Sequence, residues 1–139
     1  MSDAAYQAVV LSDIEKKIGK DKVDRLEGFE KNVIKVNDKY VILIKYCSNQ
    51  STPYFQFTDK EVENLLAIEK TYPSKTFVVF TTGNKISCSL NLKELSELCI
   101  IQSAQRSIYI DDITLSSYVV KGSVGEKRVN KNQYLSFLN

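Results

Sequence analysis

The run Thr76-Phe77-Val78-Val79-Phe80 is the most restrictive stretch of this chain. Successive β-branched and aromatic side chains fit a strand covered on both faces, which places it inside a sheet rather than at its edge. The segment before it is of the opposite kind. Val62, Leu65, Leu66 and Ile68 alternate with Glu63, Asn64, Glu69 and Lys70 at helical spacing. Thr58 and Glu61 stand in the capping-box relation that starts a helix, and Tyr72-Pro73 closes it.

The same reading extends in both directions. Tyr6, Val9, Val10, Ile14 and Ile18 predict a helix over residues 3–18, with Gly19 as its stop. Val33–Val36 and Tyr40–Tyr46 form a hairpin about Asn37-Asp38. No element is assigned to Lys20–Glu30. Tyr54–Phe57 is a short strand with Phe55 and Phe57 inward and Tyr54 and Gln56 outward. Lys85–Leu90 resumes strand character, and Asn91 caps a short helix carrying Leu92, Leu95, Leu98 and Cys99. Ser107–Ile110 is a strand, Asp111-Asp112 is expected in a cap or turn, and Asp112–Val120 fits either a helix or a strand. The order predicts an α/β fold: a mixed central sheet flanked by helices over residues 1–120, followed by a basic, mobile tail over 121–139.

Composition narrows the chemistry. The chain has no histidine, which removes Ser-His-Asp and Cys-His pairs and histidine general bases at once. Cys47, Cys88 and Cys99 include no C-x-x-C pair, so idle thiols are expected, with no metal and no cofactor. No apolar run approaches the roughly 20 residues of a membrane span, and no secretory pattern opens the chain, so a cytoplasmic protein is expected.

The run from Asp38 to Leu90, which contains YFQFT leading into a capped helix and then FVVF, resembles the core of archaeal Holliday-junction resolvases. These belong to the restriction-endonuclease-like superfamily, in which a hairpin carries a catalytic acid and an E-x-K strand. The resemblance implies that fold and a two-fold dimer. It also implies sites for a Mg²⁺-holding carboxylate pair and a lysine, and here those positions are degenerate. The E-x-K slot falls on Leu43-x-Lys45 or Ile44-x-Tyr46, with no glutamate in either register. The upstream acid slot falls near Glu30 or Lys31, or on Asp38 if the hairpin is tighter. Lys45 is expected to point to solvent at a sheet edge, because an isolated buried charge is costly. The expectation is therefore a domain that is not an enzyme.

The C-terminal segment carries a second resemblance. Tyr134, Leu135, Phe137 and Leu138 look like a weakened form of the peptides that dock on DNA sliding clamps, although Lys131 and Tyr134 occupy the usual glutamine and aliphatic slots. The other reading of these residues is a final turn packed back on the domain. Residues 121–139 hold Lys121, Lys127, Arg128 and Lys131 against Glu126 alone, a local charge of +3 in a chain of net +2. If DNA is bound, these four are the expected and weak contacts. The combined expectation is a non-catalytic accessory protein of DNA replication, recombination or repair. It would act through a protein partner such as a clamp, through weak DNA binding, and without a membrane. The alternative is an interaction subunit that binds no nucleic acid.

Overall fold

The computed structural model describes residues 2–100 and 106–138. Helix α1 (Asp3–Ile18) is followed by strands β1 (Val23–Arg25), β2 (Val33–Val36), β3 (Tyr40–Tyr46) and β4 (Tyr54–Gln56). Next come helix α2 (Asp59–Thr71), strands β5 (Thr76–Thr81) and β6 (Ser87–Asn91), and the short helix α3 (Leu92–Ser96). Strands β7 (Ser107–Asp112), β8 (Ser117–Gly122) and β9 (Glu126–Asn130) and a 3₁₀ turn (Lys131–Gln133) complete the chain.

Local chemistry accounts for the first half. Ser2 caps α1 by accepting from the Ala5 amide, and Gly19 leaves it at φ 90°. Asn37 and Asp38 both adopt left-handed φ, 57° and 54°, and the Lys39 amide donates to the Val36 carbonyl. That is a two-residue type I′ turn, which Asn and Asp tolerate and which suits the twist of the strands it joins. The capping box at Thr58 and Glu61 is formed at α2, and Asn91 with Glu94 forms another at α3.

The described residues form two sheets, not one. The first has the order β1-β2-β3-β5-β6, with β3 and β5 parallel and every other pair antiparallel. As the sequence predicts, Thr76–Phe80 lies inside this sheet. The second sheet, β4-β7-β8-β9, is antiparallel throughout. Alternation along β3 sorts its side chains into two cores. Val41 and Leu43 join Phe55, Phe57, Leu65, Val78, Phe80 and the inward residues of the second sheet. Ile42 and Ile44 face the other way, onto Val10 and Ile14 of α1.

The predicted boundary at 120 and the mobile tail beyond it are not observed. Strand β8 runs through 120 to Gly122, and β9 pairs with it from Ser117↔Asn130 to Lys121↔Glu126. The turn between them lies against the end of α3, where a Cβ on Gly122 would come within 2.1 Å of the Leu98 carbonyl oxygen. Only glycine permits that approach. Asp111 and Asp112 end a strand instead of capping a helix, and Asp112–Val120 divides into a turn and a strand.

The docking motif is also corrected. Leu135 and Leu138 are 1% and 3% exposed and complete the core against α1. The Phe137 ring stacks on Phe77 at 3.6 Å, the Lys17 ammonium donates to the Leu135 carbonyl at 3.0 Å, and the Tyr134 hydroxyl donates to Asp13 at 2.9 Å. Burial and the Asp13 carboxylate push the Tyr134 pKa well above that of an ordinary tyrosine. The apolar anchors that a clamp would need are thus spent on the protein's own second core, and the final residue, Asn139, lies outside the described residues. Leu135→Ala should cost about 2–5 kcal/mol of stability, read from the midpoint of a urea unfolding curve. A detached tail predicts no shift.

Candidate functional site

A concavity of about 910 Å³ opens where the carboxyl end of β3 emerges between the N-termini of α1 and α2. Ligands of α/β sheets commonly occupy this position, outside the carboxyl ends of parallel strands. Asp3 and Gln7 reach it from α1; Arg25, Glu30, Lys31 and Asn32 from β1 and the loop into β2; Ile44, Lys45 and Tyr46 from β3; and Thr58, Lys60 and Glu61 from the start of α2.

Two side chains of the floor are fixed by contacts the sequence does not reveal. Lys45 is on the α2 side of β3, and its ammonium lies 2.7 Å from Glu61 and 2.9 Å from the Gln56 carbonyl. Both members of the pair are only 14% exposed. The expectation of a solvated edge lysine fails because β3 is the middle strand of its sheet, and α2 supplies the carboxylate that makes burial tolerable. Tyr46 is on the α1 side. Its ring stacks on Tyr6 at 4.6 Å with an interplanar angle of 13°, and its hydroxyl donates to Asp3, which raises its pKa.

Alternation divides the end of β3 between the two faces of its sheet. Ile44 and Tyr46 are on the α1 face of β3, whereas Leu43 and Lys45 are on the α2 face. Directly across from Ile44 on the hairpin is Asn32, whose carboxamide donates to the Ile44 carbonyl at 3.1 Å while the Ile44 amide donates to the Asn32 carbonyl at 2.9 Å. Asn32 was not singled out from sequence; its position one residue before β2 is the signal that could have found it. Of the candidate acids, Glu30 lines the cleft rim, but Asp38 does not. It sits at the hairpin tip beside Lys35 at 3.8 Å, at the far end of β3 from Lys45. The strand from Tyr40 to Lys45 lies between them, about 17 Å at the usual rise. Asp38 and Lys45 therefore cannot act on one atom.

The four cations assigned to DNA contact lie elsewhere, and their charge is largely compensated. Lys121 pairs with Asp111 at 3.0 Å, Lys127 with Glu94 at 3.2 Å and Lys131 with Asp112 at 2.6 Å, while Arg128 donates to the Ser117 hydroxyl at 3.4 Å. By contrast, Arg25, Lys31 and Lys60 at the cleft stand outside the ion pairs formed among the described residues. With Lys45 counted and Asp3, Glu30 and Glu61 set against them, the lining carries a net charge of +1. That field is weak.

No group of three or more Asp, Glu or Cys side chains that could hold a metal occurs among the described residues. No described helix is long and apolar enough to cross a membrane. All three cysteines are free, and burial raises the thiol pKa of Cys88 to about 12 and that of Cys99 to about 11. At pH 8 both are held as unreactive thiols. A disulfide reagent should therefore modify the half-buried Cys47 first and reach Cys88 and Cys99 only on unfolding, as followed by mass spectrometry with and without denaturant. The Lys45–Glu61 pair gives a second expectation. Removing Glu61 alone should destabilise the fold by about 3 kcal/mol, because it leaves Lys45 unpaired. The Lys45→Met, Glu61→Leu double variant should recover much of that loss in the same unfolding assay. Comparison of the chain with protein-family models, curated proteins and solved structures finds no match.

Proposed function

We propose that this chain is a non-catalytic, restriction-endonuclease-like domain that binds DNA weakly through the cleft at the end of β3, as an accessory factor in replication, recombination or repair. The observation that carries the reading is the cleft's position in the topology. A leading helix, three antiparallel strands in sequence order, a crossover helix and a parallel fourth strand frame it, and Ile44, Lys45 and Tyr46 line it, so that in this reading Ile44-x-Tyr46 stands for the E-x-K slot. The residue paired with Ile44 is the neutral Asn32, so the hairpin offers no carboxylate pair to a divalent ion. Lys45, the lysine of the other register, is held by Glu61. In this reading isoleucine, tyrosine and asparagine stand for the acids and the lysine, and although Asp3, Glu30 and Glu61 also line the cleft, they form no group of three that could hold a metal among the described residues.

A second reading, an interaction subunit that binds no nucleic acid, draws on the outer side of the second sheet. There Tyr54 and Tyr109 pack together at 4.8 Å in the open, and Leu115 in the following turn is 99% exposed.

The test is fluorescence anisotropy on a labelled four-way junction and a matched duplex, at low and moderate salt, with products run on a gel after incubation with Mg²⁺. The expected result is weak, salt-sensitive binding, no cleavage, and loss of binding in a Lys31→Glu, Lys60→Glu variant. Absence of binding by the wild-type protein would discard this reading in favour of the interaction subunit. Mg²⁺-dependent cutting that Lys45→Ala abolishes would show an active nuclease instead.

A further inference from the structure

The proposed cleft contains one feature that binding to regular duplex does not require. Tyr46 stands at its floor with the ring held in one orientation: Tyr6 covers one face at 4.6 Å and 13°, and the hydroxyl is tied to Asp3. Tyr6 itself is buried, so the pair is anchored in the core under α1. Tyr46 nevertheless remains 41% exposed as a residue and lines the cleft. An immobilised aromatic surface open to a concave site stacks a flat ligand without paying to order the side chain. The cleft, at about 910 Å³, lies within the size range of small-molecule sites, whereas a regular double helix buries its base faces and offers only groove edges and phosphates.

The same cleft is lined by the cations that stand outside the ion pairs, Arg25, Lys31 and Lys60, together with the carboxylates of Asp3, Glu30 and Glu61. Such a lining suits one or two phosphates rather than a long polyanion track. An aromatic platform with a few cations is the arrangement by which proteins hold unpaired nucleotides. We infer that the cleft takes an unpaired nucleotide of a DNA strand, its base stacked on Tyr46 and its phosphates near Lys31 and Lys60. This inference rests on the reading of the cleft as a DNA site and specifies what enters it: strand ends, gaps or the open centre of a branched structure, in preference to continuous duplex.

The test uses the full chain with a labelled short oligothymidylate, a duplex of equal length, and an oligonucleotide carrying 2-aminopurine, whose emission falls on stacking. Wild-type protein should prefer the single strand and quench the 2-aminopurine. Tyr46→Leu should weaken single-strand binding about tenfold, a larger loss than on duplex, and remove the quenching. Tyr46→Phe keeps the ring but loses the bond to Asp3, and it should bind within about twofold of wild type. Thermal unfolding of each variant checks that the fold is retained. If Tyr46→Leu binds and quenches like wild type while Lys31→Glu, Lys60→Glu abolishes binding, the stacking inference is wrong and the cleft remains a DNA site. If the wild-type protein binds neither strand form, the DNA reading itself fails and the inference fails with it.

Discussion

The parallel pairing of β3 with β5 is the constraint around which the rest of the protein is arranged. Parallel neighbours cannot be joined by a tight turn, so the chain must leave the sheet, cross it and return. Here the excursion supplies both β4 and α2, and it buries one face of β3 against them. The opposite face cannot be left wet, because Ile42, Ile44 and Val79 point into it, and α1 with the C-terminal segment close over them. The two cores are two solutions to one requirement, a strand pair apolar on both sides.

The same pairing explains where the cleft lies. Two helices begin close to the carboxyl end of β3, one on each side of the sheet, and they leave a gap that neither fills. Residues of β3 that differ by one position then serve different neighbours. Lys45 belongs to α2 through Glu61, and Tyr46 belongs to α1 through Tyr6 and Asp3. The floor of the site is thus fixed to both layers of the fold, which limits how far it can adjust to what it binds.

Much of the first half was legible because its signals are local. A capping box, an Asn-Asp turn and a helix with apolar residues at spacings of three and four can each be read within a dozen residues. The second sheet was legible only in part, in the strands β4 and β7, and its last strand was hidden for an equally physical reason. Strand β9, Glu-Lys-Arg-Val-Asn, turns one apolar side chain, Val129, into the core, so its pattern resembles solvated tail. Lys121, Lys127 and Lys131, on and beside this strand, look free in sequence because their carboxylates come from α3 and β7. At the site, Val41 to Ile44 are all apolar, so alternation has no phase in sequence. Only the packing of α1 against one face and α2 against the other tells Ile44 from Leu43. The charged lysine drew attention as a chemical group, while Tyr46 and Asn32 have no signal apart from their position in the fold.

The contact between Tyr134 and Asp13 joins residues 121 positions apart, and it bears on how the protein reaches its fold. Contacts of such long range are entropically costly to close and tend to form slowly. A growing chain that has already made α1, the hairpin and the β3–β5 pair still lacks Leu135, Phe137 and Leu138. Until they arrive, one side of a formed sheet presents uncovered isoleucine, valine and phenylalanine, the type of surface through which incomplete chains associate. The segment that seals this side also shields the protein from its own aggregation, and during synthesis it emerges after the sheet that it covers.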